Sequence, residues 1–159
     1  MFVLSKSIKK ITKTTTMKKI FLAVLVIGCT LFAKASEPNE KVLNAFNKTF
    51  PSVQDVSWSE NAYSFDVRFK QNQIVTRVTY DKEGTIVRTM RYYKEEHLPI
   101  LVMTKVKQRF AGKNIYGVTE ITKDGETSYH IILDDEKQWY DITSDTYGSI
   151  MLNKKFRKA

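Results

Sequence analysis

The sequence has one cysteine in 159 residues, Cys29, so no intrachain disulfide can form. Only two histidines occur, His97 and His130, and no Gly-x-Ser-x-Gly stretch accompanies them, which leaves no nucleophile-plus-base constellation in view. The six glycines are scattered, and none forms a loop leading into a helix that could cradle a phosphate. No apolar run has the length a bilayer-crossing helix needs; Ile20 to Phe32 spans 13 residues. Acids are missing altogether from residues 1–35, which hold seven lysines.

Those 35 residues read as an export signal. Met17-Lys18-Lys19 precedes the apolar run, and Ala33-Lys34-Ala35 places small residues where signal peptidase cuts, before Ser36. Met17 reads as the start of that signal, with residues 1–16 an upstream or extended basic segment. Cys29, in "VIGC", offers a second ending, in which the cysteine is lipidated and anchors the chain, although Leu31-Phe32-Ala33 continues apolar beyond it. The expected location is therefore periplasmic or secreted, with a lipoprotein anchored through Cys29 as the alternative. Past the leader no transmembrane span is expected.

The leader also accounts for the charge. The whole chain carries +9, but without the seven leader lysines 19 basic residues stand against 17 acids. A surplus that departs with the leader gives no reason to expect nucleic acid as a partner. The remaining 124 residues suffice for one domain, which at this size buries roughly two-thirds of its unfolded surface.

Spacing predicts a helix over Glu40 to Phe50, with Val42, Leu43, Phe46 and Phe50 on one face, Asn39 as its cap and Pro51 as its stop. A second helix is predicted from Pro99 to Phe110, with Val102, Val106 and Phe110 inward and Gly112 closing it. Period-two alternation predicts strands. Tyr63, Phe65, Val67 and Phe69 point one way while Ser64, Asp66 and Arg68 point the other. Further inward sets are Ile74-Thr76-Val78-Tyr80, Ile86-Met90-Tyr92, Tyr129-Ile131-Leu133, Trp139 to Ile142, and Ile150 to Phe156. Val53–Ser59 and Ile115–Thr122 supply two more strands, and Lys70–Gln73 and Lys123–Glu126 read as hairpin turns. The order amounts to a helix plus four strands, written twice: a first unit at 36–96 and a second at 97–159.

"DKEGTI" (Asp81 to Ile86) and "DTYGSI" (Asp145 to Ile150) share the skeleton Asp-x-x-Gly-x-Ile. A calcium loop needs six to eight oxygens on a longer loop, and the second copy has Tyr147 where the first has Glu83. A tight turn needs only Asp at its first position and a left-handed Gly at its fourth. Both stretches read as turns.

Together, "VLNAFNKTFP" (Val42 to Pro51), "VSW" (Val56 to Trp58), "YSFDVRF" (Tyr63 to Phe69), "YDKEGTI" (Tyr80 to Ile86) and "LP" (Leu98-Pro99) resemble the PepSY-like family of exported bacterial proteins, whose fold is similar to that of the β-lactamase inhibitor protein. The resemblance runs from about Glu40 to Leu152, and its motifs are core and turn residues. It implies an α+β fold class: a tandem duplication of a helix plus a four-stranded antiparallel sheet, two-layer, about a pseudo-twofold axis. It also implies an envelope or secreted protein that binds a protein or peptide, a peptidase inhibitor being one such binder, with no catalytic residues to carry over.

Chemistry has few footholds. Asp134, Asp135 and Glu136, with Asp141 and Asp145 downstream, are the only acidic cluster for a metal-dependent or carboxylate hydrolase, yet the first three fall in a hairpin turn. His97 precedes the second helix; His130 alternates outward between Tyr129 and Ile131. The outer sheet face remains. If Lys70 pairs with Gln73, Asp66 lies across from Arg77, and Arg68, Arg77, Arg91, Tyr93 and His130 are the expected binding residues, beside Val75 and Val87. Trp58 and Trp139 are expected in the core or at the seam between units. The expected protein is a non-enzymatic binding module of the envelope, without cofactor or metal, contacting a protein or peptide. The carboxylate hydrolase and a structural envelope protein are the alternatives.

Overall fold

The computed structural model describes residues 37–158. The expected leader, with Met17, Cys29 and the expected cut between Ala35 and Ser36, lies outside the described residues. Asn39 starts α1 (Glu40–Thr49), its side-chain oxygen accepting the Val42 amide at 3.0 Å and so satisfying a donor that a helix start leaves unpaired. Glu40 in the first turn and Lys48 in the last suit the helix dipole. α2 (Ile100–Arg109) starts after Pro99, and Lys107 and Arg109 close it. α1 buries Val42 and Phe46 and α2 buries Val102 and Val106, while Leu43 is 40% exposed rather than inward.

The strands are β1 (Ser57–Glu60), β2 (Ser64–Gln71), β3 (Ile74–Asp81) and β4 (Ile86–Tyr93), then, beyond a 3₁₀ turn at Glu95–His97 and α2, β5 (Asn114–Lys123), β6 (Glu126–Asp134), β7 (Gln138–Asp145) and β8 (Ile150–Arg157). They pair antiparallel in chain order as one eight-stranded sheet. This overturns the expected tandem duplication of a helix plus a four-stranded sheet. The described residues are mostly a single sheet with two short helices, and β4 pairs with β5 from Arg88↔Lys123 to Tyr93↔Val118, across the expected boundary. The physical reason is edge satisfaction: β4 and β5 close each other's open row of N–H and C=O groups, which separate sheets would leave bare.

Turn chemistry sets the register. Asn72 and Gln73, with φ of 49° and 65°, form a two-residue turn that pairs Gln71 with Ile74. Arg68 therefore faces Arg77, and Asp66 faces Thr79, correcting the expected Asp66–Arg77 pair. Asp124 and Gly125 join β5 to β6 in the same way. The two Asp-x-x-Gly stretches are turns. The Asp81 carboxylate accepts the amides of Glu83 and Thr85 at 2.9 and 2.8 Å, and Asp145 accepts those of Tyr147 and Ser149 at 2.9 Å each. Gly84 has φ of 89°, and a Cβ there would stand 2.9 Å from the Lys41 carbonyl oxygen of α1.

Both helices lie on one face of the sheet. Val42 and Phe46 pack with Phe65, Val67, Phe69, Val78 and Tyr80, and Val102 and Val106 with Val118, Ile131, Leu133 and Ile142. Phe46 meets Phe50, Trp58 and Phe69 at ring separations of 5.5, 5.2 and 5.8 Å. Such pairs add about 0.5–1.5 kcal/mol each beyond area burial.

Candidate binding face

Alternation along the strands decides what the opposite, uncovered face displays. From β2 it takes Asp66, Arg68 and Lys70; from β3, Val75, Arg77 and Thr79. A bulge then changes the count: Tyr80 faces Ile86 while Thr79 faces Arg88, so Val87 is an extra residue. Beyond it Arg88, Met90 and Tyr92 turn to the open face, where the spacing alone placed Arg91 and Tyr93.

Of the expected binding residues, Arg68, Arg77 and His130 are on the open face and exposed. Arg91 and Tyr93 are on the helix side. There Arg91 donates to the Glu120 carboxylate at 2.9 Å, and the Tyr93 hydroxyl donates to its other oxygen at 2.6 Å. Tyr93 is buried, and burial, followed by the hydrogen bond to Glu120, drives its phenol far above the ordinary tyrosine range. This knot ties β4 to β5 from within.

The open face carries aromatics that the sequence pattern left unassigned. Tyr116, the extra residue of a bulge between Ile115 and Gly117, meets Trp139 edge to face at 4.9 Å. Phe156 is the register partner of Trp139 on β8 and is 43% exposed. Cations lie over all three rings: Lys94 at 4.6 Å from Tyr116, Lys158 at 4.7 Å from Trp139 and Lys154 at 5.6 Å from Phe156. Trp139 thus belongs to neither the core nor a seam, whereas Trp58 packs inward on Phe46. A signal existed, since Trp139 alternates with the buried Tyr140 and Ile142.

One recess indents this face and a second opens at its margin, beside the 3₁₀ turn. The first, of about 310 Å³, is lined by Arg68, Val75, Arg77 and Tyr92. The other, of about 370 Å³, is walled by Tyr92, Tyr116, Thr119 and Ile132 and also by the helix-side Tyr93 and Val118 and by Glu96 and His97 of the 3₁₀ turn. Tyr92 stands between them.

The acidic cluster is dispersed into structural contacts. Asp134 pairs with Lys158 at 2.6 Å and Asp141 accepts from Asn153 at 3.0 Å. Asp135 pairs with Lys113 and accepts the amides of Lys137 and Gln138. Lys113 first, then these amides, hold its carboxyl far below the usual carboxylate range. Asp145 is held low by the Ser149 amide in its turn. His97 sits edge-on to Tyr93 at 5.9 Å in the 3₁₀ turn. No three metal-ligating side chains converge among the described residues.

No protein-family model matches the sequence, and no curated protein does. Solved structures do match. A BLIP-like protein from Bacteroides fragilis NCTC 9343 is 15% identical with a TM-score of 0.62, over 78% of this chain and 90% of its own. A DUF2874 family protein from Bacteroides ovatus ATCC 8483 is 19% identical with a TM-score of 0.61, over 77% and 89%. A Bacteroides eggerthii DSM 20697 protein, provisionally called periplasmic, is 16% identical with a TM-score of 0.60, over 77% and 90%. The fold is therefore the one these BLIP-like and DUF2874 structures share. That narrows the resemblance to the BLIP-like fold and does not extend it to PepSY proteins in particular. No helix among the described residues is long and apolar enough to cross a membrane.

Proposed function

We infer that this chain is an exported, non-enzymatic binding module of the cell envelope, which presents the uncovered face of its sheet to a protein or peptide. The observation that carries this reading is the asymmetry of the sheet. Both helices pack on one side, and the other side presents the exposed Arg68, Arg77, Tyr116 and Phe156 with the half-buried Tyr92 and Trp139. Arginine and aromatic side chains are the residue types that anchor protein interfaces. Residues 1–35 act as the leader in this reading, and the periplasmic description of one structural neighbour supports the same compartment.

A photo-cross-linking residue in place of His130, at the middle of the open face, tests it in cells against the same residue in place of Lys48 on α1. Protein adducts are expected from the His130 position and not from the Lys48 position. Equal labelling from both, or none from either, would overturn the reading and favour a purely structural envelope protein.

A further inference from the structure

Resting on that reading and sharpening it, we propose that the Arg68–Arg77 recess takes a carboxylate side chain of a partner protein, with an apolar side chain of the same segment seated beyond Tyr92. Register sets the two arginines directly opposite each other on neighbouring strands, and both are exposed. Among the described residues neither guanidinium has an ion pair or a hydrogen bond. Like charges in that position repel, so the pairing is unfavourable to the fold by itself.

The nearby acid does not relieve it. Asp66, outward on β2, accepts the Thr79 hydroxyl with one oxygen and the Asn61 amide with the other at 3.1 Å. Several cations have acids of their own: Lys158 has Asp134, Lys113 has Asp135 and Arg91 has Glu120. Arg88, one row along β4, and Lys70 on β2 are further cations on this face without an ion pair. Two unmatched guanidinium forks are suited to a carboxylate, which they grip through paired hydrogen bonds.

Tyr92 then says what accompanies the acid. It walls the arginine recess on one side, and on the other it lines the recess with Tyr116, Thr119 and Ile132. From the arginine pair between β2 and β3 to the far wall of the second recess, Thr119 and Ile132 on β5 and β6, is three strand spacings, roughly 14 Å, which an extended chain covers in about four residues. The occupant is therefore a segment crossing the strands, with Asp or Glu four positions from an apolar anchor. A phosphate polymer fits less well, because the same face carries Asp134 and Asp141 farther along and the chain beyond residue 35 is nearly charge-balanced.

Fluorescence anisotropy on the full chain tests this with the labelled peptide Glu-Ser-Gly-Ser-Trp against Gln-Ser-Gly-Ser-Trp. The Glu peptide is expected to bind at least tenfold tighter. The double variant R68Q/R77Q should erase the difference while Lys48→Gln preserves it, and R68Q/R77Q should melt no lower than the parent, since a repulsion has been removed. Equal binding of the two peptides, or a preference that survives R68Q/R77Q, would overturn the proposal. So would displacement of the Glu peptide by inorganic phosphate, or by phosphatidylglycerol vesicles, at matched anion concentration. Cross-links from the His130 position that persist while the peptide preference is absent would leave the binding-face reading standing and sink this one alone.

Discussion

Tyr80 is the residue where chemistry and packing disagree most. Its ring is fully buried, and its hydroxyl is a buried polar group without a hydrogen-bond partner. Such a group carries its desolvation penalty uncompensated. Burial also pushes the phenol up to about 12. Tyr80→Phe is therefore expected to stabilise by about 1 kcal/mol, read as a rise of a few degrees in a thermal melt. Because the folded-state value is raised above an unfolded value near 10, this group's contribution is present below about pH 10 and is lost as pH rises towards 12. The phenylalanine variant should lose less stability over that alkaline window, although Tyr93 and Tyr129, also raised, keep a slope in the same direction. The sequence pattern marks Tyr80 as inward through its alternation with Val78, but nothing in it says whether a hydroxyl finds a partner. Arg91 and Tyr93 failed at this scale for a different reason. One extra residue, Val87, inverts the parity of all that follows in β4, and a bulge leaves no composition signature that a single sequence displays.

At the scale of elements, the turns were the most legible part. Asp-x-x-Gly needs a carboxylate to accept two amides and a residue that tolerates positive φ, and both stretches supply them. The Thr85 amide holds Asp81 below the usual carboxylate range, and the Ser149 amide holds Asp145 there. A depressed folded-state value means that the unfolded chain binds protons first, so this stability is present above about pH 4 and is lost as pH falls further. Asp81→Asn with Asp145→Asn should flatten the acid limb of a stability-against-pH curve measured by urea titration. A limb of unchanged steepness would show that the turns do not control it. The turn after β2 was less legible, because Gln73 adopts φ of 65° and glutamine gives no warning of it. That single-residue difference in turn position changed which charges meet, and it set Arg68 against Arg77.

For the whole molecule, alternation told which side chains point inward on most strands but not which strand edges meet. The β4–β5 pairing is made by backbone groups, identical in every residue, so one continuous sheet and two separate ones predict the same apolar pattern. The open face became visible as a surface only once that pairing was known, because Tyr92, Tyr116 and Trp139 come from three different strands on both sides of it. Continuity has a thermodynamic consequence. Val42→Ala under α1 and Val106→Ala under α2 each remove part of a fully buried side chain, expected to cost about 2 kcal/mol. Each should shift one cooperative transition as a whole, followed by tryptophan fluorescence and circular dichroism together. Two separated transitions would mean that the sheet does not couple the two apolar clusters. The succession of pairings bears as well on how the chain comes into being. Every strand zips onto the one made just before it, so a polypeptide threaded N-terminus first never waits for a distant mate, and apart from the outer edge of β1 only its newest strand is bare at any moment.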